Sequence, residues 1–377
     1  MGKASFFNEL TGIRAIAAFM VFMHHYNYFT EPMVGSFMHN FINEFHIGVP
    51  IFFVLSGFLI CYRYYDNIKL HDNRWTVQYI QNRVARIYPM YFLVTTGTFL
   101  LIILKFQQWP HSTMIYLANI TFVKGFCDSL KFTGVGQGWT LTVEECFYFT
   151  APVIFLLSRK IKLIVPFLVI FTVGVLLVLV FRNVDFYGFF CSFKFMFFFT
   201  FFGRCFEFFV GISLALLYKR SYENQKEGRC YRTVAGVLWI ILCLSALVLV
   251  KGDEKYGTET PAGIFINNII LPIGVAILLL GLITEKSLLK RILSTRLLVL
   301  LGKSSYTFYL MHVGVMVLLT ATITSNPLIG FIIANIISVA LFKLIEEPSN
   351  NFIRKIDFYA GLSWLKKRMI PAHEGKE

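Results

Sequence analysis

The amino-acid sequence predicts an all-α integral membrane protein of about ten transmembrane helices joined by short loops, with cytoplasmic N- and C-termini. Composition is the first reason. Of 377 residues, 56% are hydrophobic, 15% are charged and 42 are phenylalanine, and the mean hydropathy is +0.65. A soluble globular domain carries more charge and less apolar bulk. Recurrence is the second reason: apolar runs of spanning length follow one another along the chain, and a lone segment satisfies its own backbone in lipid only as a helix. The third is the placing of the cations, which collect in alternate loops.

The candidate spans cover 11–30, 47–65, 88–106, 144–158, 162–181, 203–219, 232–250, 263–283, 300–320 and 326–346. The first has no cationic leader and no small-residue cleavage site, so it reads as a retained helix. With the N-terminus inside, the inward loops hold Arg63, Arg74, Arg83 and Arg86, then Arg159, Lys160 and Lys162, then Lys219, Arg220 and Arg229, then Lys286, Lys290 and Arg291. The outward loops hold few cations: Lys124, Lys131, Arg182, Lys194, Lys251 and Lys255. This is the positive-inside pattern, so the formal charge of +14 reports topology, and no nucleic-acid partner is expected.

No composition shift or internal repeat divides the chain. A single transmembrane domain over 1–350 and a basic cytoplasmic tail over 351–377 are expected. The seven cysteines are scattered and lack metal-binding or disulfide spacing, so no metal site is expected. The phenylalanine-rich stretch 189–209 reads as lipid-facing or interfacial bulk.

Polar residues inside spans are the candidates for function, because each is costly there unless it is partnered or faces a cavity. In "RAIAAFMVFMHH" (14–25), Arg14 and His25 are eleven positions apart. On a helix that spacing puts them about 20° from one face and about 16 Å apart along the axis, whereas His24 lies about 80° off that line. Snorkelling of Arg14 to the interface and a satisfied interior histidine are the bland alternatives. In "RWTVQYIQNRVARIYPMY" (74–91), Arg83 and Arg86 share one side of a short helix that Pro89 interrupts. Such a pair suits a phosphate group, and equally an anionic lipid. In "GQGWTLTVEECFYF" (136–149), Glu144 and Glu145 open a span from outside; they either complement the helix N-terminus or supply a carboxylate to His25. Arg204 and Glu207 form an i, i+3 pair. Tyr306, Tyr309 and His312 recur every three residues, a stripe able to serve substrate or helix-to-helix hydrogen bonding.

Taken in order, "NELTGIRAIAAFMVFMHH", "GVPIFFVLSGFLI", "NRVARIYPMYF", "GWTLTVEECFYF", "GRCFEFFVG", "LGKSSYTFYLMH" and "EEP" resemble the acyltransferase family 3 membrane proteins, the bacterial O-acetyltransferase type. The resemblance runs from about residue 5 to 350. It implies that Arg14 and His25 form the family's arginine, ten residues, histidine signature and that Arg83 and Arg86 form its cytoplasmic arginine pair. Trp139, Thr140, Glu144 and Glu145 match its tryptophan-to-glutamate motif, with Thr140 where serine is common. Some relatives carry an extra hydrolase-like domain; a stand-alone membrane domain is expected here.

The resemblance implies a co-substrate, acyl-CoA and by expectation acetyl-CoA, with no permanently bound cofactor. It further implies a glycan or glycolipid acceptor: surface polysaccharide, lipopolysaccharide or a lipid-linked glycan. Acyl-CoA phosphates would lie near Arg83 and Arg86. His25 would be the general base on the acceptor hydroxyl, Glu144 would orient the imidazole, and Arg14 would bind donor phosphate or the developing oxyanion. An acyl-His25 intermediate is the competing route. Trp139, Glu145, Arg204, Glu207, Tyr306 and His312 are placed as substrate-binding or supporting residues. HxxxxD and GxSxG acyl-transfer signatures are absent from the sequence. A flippase for lipid-linked sugars and a purely structural scaffold are the other function classes, and neither an inverted repeat nor paired broken helices favours the first.

Overall fold

The computed structural model describes residues 7–69, 72–106, 113–223, 225–314 and 326–360. Ten helices position the site: α1 (Asn8–His25), α2 (Gly48–Tyr64), α3 (Asn73–Phe106), α4 (Trp139–Ser158), α5 (Ile164–Phe181), α6 (Phe201–Ser221), α7 (Tyr231–Val250), α8 (Leu271–Thr284), α9 (Ser305–Met311) and α10 (Pro327–Leu341). The described residues form no β-strand, only isolated bridges. The chain is an all-α membrane protein.

Among the described residues, eight helical stretches are long and apolar enough to cross a membrane. Two of the ten expected spans do not meet that description. The first forms α1, but Asn8, Glu9, Arg14, His24 and His25 lower its hydropathy. The helix is sheltered instead: Ala15, Ala17 and Ala18 are at most 1% exposed, and neighbours approach it through glycine. A Cβ on Gly48 would stand 2.2 Å from the Ala17 carbonyl, and one on Gly302 would stand 1.9 Å from the Thr11 carbonyl. The expected span 300–320 is broken at Ser304 between helices Arg296–Lys303 and α9, and its residues 315–320 lie outside the described residues. Residues 361–377, most of the expected tail, also lie outside them, and the helix Glu347–Lys355 runs across the expected boundary at 350.

Burial separates inner from outer helices. Of their most apolar windows, 67% is buried for the stretches containing α2, α6 and α8, against 17% for α5. A close inner contact joins α2 to α6, where a Cβ on Gly57 would meet the Phe208 carbonyl at 2.3 Å. Phe208 stacks on Phe53 at 4.9 Å and on Phe147 at 4.4 Å, tying α4 to the same seam. The phenylalanine-rich stretch is therefore not mainly lipid-facing: Phe190, Phe195, Phe201 and Phe208 are 0–2% exposed.

Helix irregularities place polar groups. Pro89 does not interrupt its helix; α3 runs through it for 34 residues, so Arg83 and Arg86 belong to a long helix rather than a short separate one. In α4, Pro152 cannot bond the carbonyl four residues back, and the Tyr79 hydroxyl donates to that Tyr148 oxygen at 2.8 Å. A π-helical turn at Ile266–Ile270 buries Asn267 and Asn268. Another at Phe342–Glu346 buries Glu346.

Candidate functional site

Two recesses lie along α1. The outer one, about 750 Å³, is lined by residues including His24, His25, His46, Trp139, Arg204 and Phe199. The inner one, about 50 Å³, is lined by residues including Arg14, Phe52, Ser56, Glu144, Tyr306 and Leu59. Val49 and Tyr309 line both. The eleven-residue spacing thus gives one helix an arginine in one recess and a histidine in the other.

Around the inner recess, the Glu144 carboxylate accepts from the hydroxyls of Ser56 and Tyr148. α4 begins at Trp139, so Glu144 and Glu145 sit in its second turn and do not cap it. Glu145 is 9% exposed and electrostatically close to Glu144 and Arg83. Arg14 lies 6.0 Å over the Phe52 ring, and its Nε is buried without a hydrogen-bond partner among the described residues. Arg83 is buried; it donates to the Tyr64 hydroxyl at 3.3 Å and lies over the rings of Tyr64 and Tyr148 at 5.5 and 5.4 Å. Arg86 donates to Glu346 at 3.2 Å, and Thr307 donates to the other carboxylate oxygen at 2.6 Å. The Tyr306 hydroxyl donates to the Ile87 carbonyl at 2.7 Å, which fastens α9 to α3. Three arginines and three carboxylates are thus gathered within one bundle, held by hydroxyls and aromatic faces.

The outer recess is built differently. His25 opens to it, with ring centroids of His24 at 4.9 Å and His312 at 5.3 Å. The expected pairing of His25 with Glu144 is not present, because that carboxylate is engaged by Ser56 and Tyr148. The His24 ring meets the Asn43 carbonyl through Nδ1, and its centroid stands 5.3 Å from that of His46. Arg204 and Glu207 form the expected pair: Nε donates to one carboxylate oxygen at 3.0 Å and Nη2 lies 2.7 Å from the other. The remaining arm, Nη1, donates to Asn268 at 3.2 Å, a contact that depends on the π-helical turn. Trp139 stands edge-on to Phe199 at 4.9 Å on the recess wall. The Thr140 and Tyr309 hydroxyls are 3.1 Å apart.

Sequence reasoning missed several members. Gln137 donates to the carbonyls of Tyr309 and Leu310 at 2.6 and 2.9 Å, locking α9 against the start of α4. Lys124, fully buried, donates to the carbonyls of Thr133 and Val135 at 2.7 and 2.6 Å and so fastens the loop that leads to Trp139. Burial pushes its ammonium down to about 7. Ser56 and Glu346 carried a signal, since both are polar residues in apolar runs; Lys124 carried none, lying in an ordinary-looking loop. Among the described residues, no group of three or more His, Cys, Asp or Glu is placed to hold a metal ion.

The model of a family described as "Acyltransferase domain" matches residues 7–346. A Bacillus subtilis protein provisionally named a peptidoglycan O-acetyltransferase is 26% identical over 92% of this chain and 54% of its own length. A Staphylococcus aureus protein provisionally named an O-acetyltransferase is 23% identical over 83% of this chain and 51% of its own. A provisionally named acetyltransferase of Acidianus two-tailed virus is 28% identical over 71% of this chain and 72% of its own length. The chain therefore spans about half the length of the bacterial relatives. No solved structure matches it.

Proposed function

Because the chain belongs to the acyltransferase domain family, we propose that it is a membrane-bound O-acetyltransferase. It moves an acetyl group from cytoplasmic acetyl-CoA to a hydroxyl of a surface polysaccharide, lipopolysaccharide or lipid-linked glycan, and it works in the inner membrane of a bacterium. The observation that carries the reading is the pair of recesses sharing Val49 and Tyr309, with Arg14 in the inner one and His25 in the outer. That arrangement suits a donor and an acceptor arriving from opposite sides.

In this reading the donor phosphates lie against Arg83 and Arg86, and the thioester reaches past Arg14. An acceptor hydroxyl in the outer recess gives its proton to a His25 nitrogen as its oxygen attacks the thioester carbonyl. The carbon–sulfur bond of the tetrahedral intermediate breaks, the thiolate leaves with the electron pair and recovers the proton from the imidazolium, and Arg14, in the inner recess, serves the donor. A positioned base of this kind contributes about 10² to 10⁴-fold. Aromatic walls such as Trp139 and Phe199 suit the apolar faces of sugar rings, and Arg204 suits a polar edge.

Mass spectrometry of surface glycans from cells with and without the protein tests the proposal. Ester-bound acetyl groups are expected to disappear with the protein and to stay absent when only the His25→Ala form is supplied. If no ester-bound group changes on any glycan or lipid, the proposed substrate class is wrong.

A further inference from the structure

An imidazole acting as a base works well when its second nitrogen is held by an acceptor, which fixes both tautomer and orientation; a carboxylate is the usual holder. Among the described residues no carboxylate hydrogen-bonds His25, and Glu144 is turned to Ser56 and Tyr148. What stands beside His25 is His312, which directly follows α9.

His312 is 1% exposed. Its Nδ1 lies 2.8 Å from the Tyr309 carbonyl. A carbonyl only accepts, so Nδ1 carries the hydrogen and Nε2 of the neutral ring presents a bare lone pair. That Nε2 is buried and has no hydrogen-bond partner among the described residues. Buried polar atoms are rarely left empty, which points to a partner during the working cycle. The ring is itself held: Phe308 lies parallel to it at 6.0 Å, and Phe22 flanks it at 6.5 Å. The His25 centroid is 5.3 Å away with the rings inclined at 42°. Two imidazoles joined N–H to N at about 3 Å have centroids roughly 5 Å apart, so a small turn of the open His25 side chain closes the bond.

We propose that His312 is the positioning residue of His25: its buried Nε2 accepts the N–H of His25 and thereby aims the opposite nitrogen at the acceptor hydroxyl. The proposal rests on reading His25 as the general base. His312 itself touches neither donor nor acceptor in this scheme, and no proton leaves it. The other titratable groups facing the pair are His24 on α1, His46 beyond it, and Lys255 of the outer loop. His24 is less suited to the task, since it immediately precedes His25 in the chain and its ring stands edge-on at 65°.

The amide side chains separate this role from a packing role. Glutamine at 312 places an oxygen where Nε2 stands, whereas asparagine places its amide near Nδ1 and leaves the Nε2 position empty. The assay uses membranes from producing cells, which carry the full-length chain and the native acceptor, titrated with radiolabelled acetyl-CoA. His312→Gln is expected to keep kcat within about ten-fold of the parent, while His312→Asn and His312→Phe lose about 10²-fold or more, all with donor KM within about two-fold. Equal kcat for the Gln and Asn forms, or a loss confined to KM, overturns the proposal. His25→Ala in the same series keeps the two ideas apart. Full activity there sinks the general-base reading itself, whereas an inactive His25→Ala beside a fully active His312→Phe sinks only the pairing. If His312→Phe does not assemble, the two amide variants decide alone.

Discussion

Replacing Glu207 by leucine would strand the Arg204 guanidinium inside α6. Both groups are secluded, at 3% and 0% exposure. Every guanidinium nitrogen is occupied: Nε and Nη2 by Glu207 at 3.0 and 2.7 Å, and Nη1 by Asn268 at 3.2 Å. Loss of the carboxylate removes two of those three contacts and leaves a cation that is only 3% exposed at the wall of the outer recess. Breaking a buried pair from one side costs about 3–5 kcal/mol, whereas exchanging both partners for apolar residues of similar volume is neutral or stabilising by about 1–4 kcal/mol. Glu207→Leu is therefore expected to destabilise by about 3–5 kcal/mol, and Arg204→Met/Glu207→Leu to return close to the parent, giving a coupling of about 3 kcal/mol or more. Reversible unfolding of purified protein in mixed micelles, followed by circular dichroism as dodecyl sulfate is increased, measures all the forms. A single-mutant loss below about 1 kcal/mol, or a double mutant no better than the single, would refute the reasoning. The same double mutant reports on function. If it is stable yet inactive, Arg204 serves the substrate in the outer recess.

Other outcomes are equally open to measurement. Gly57→Ala puts a Cβ 2.3 Å from the Phe208 carbonyl, forces α2 from α6, and should lower the thermal midpoint by several degrees; an unchanged melt contradicts the close seam. Arg83→Met and Arg86→Met should each raise the KM for acetyl-CoA about ten- to a hundred-fold, the scale of one lost charge-assisted contact of about 1.5–3 kcal/mol, as read from initial rates against donor concentration. The Lys124 ammonium loses its proton near pH 7 when buried but near about pH 10.4 in the unfolded chain. Between those values the unfolded state binds more protons, so native stability should rise with pH across that window, and the burial penalty is full below about pH 7. Melting curves from pH 6.5 to 9.5 should show that rise in the parent and lose it in Lys124→Met; parallel profiles would show that Lys124 does not titrate there.

Local spacing made part of the site legible. Arg14 and His25 follow one another along a single helix, so phase alone aligned them, and Arg204 with Glu207 needed only the i, i+3 rule. Partners from other helices could not be read that way. Ser56 and Glu144 are 88 residues apart, and Gln137 and Tyr309 are 172 apart; no periodicity within either segment registers such a meeting. Hence Glu144 was expected at His25, and the neighbour found there is His312. Pro89 misled because a proline's steric preference to end helices yields when the surrounding bundle holds the segment. The phenylalanines of 189–209 misled because apolar side chains in a membrane bundle suit lipid and protein neighbours alike. Glu346 turns inward through a π-helical turn, an irregularity without a hydrophobic signature.

In the proposed transfer, the smallness of the inner recess sets a limit on the acyl group it can receive. At about 50 Å³ it accommodates roughly three or four water-sized groups, close to the three heavy atoms of an acetyl unit. Phe52, Leu55 and Leu59 form its apolar wall, and a four-carbon chain would have to displace them at a repacking cost of about 1–3 kcal/mol. In the proposed transfer, the recess beneath Val49 and Tyr309 would therefore gauge chain length by volume.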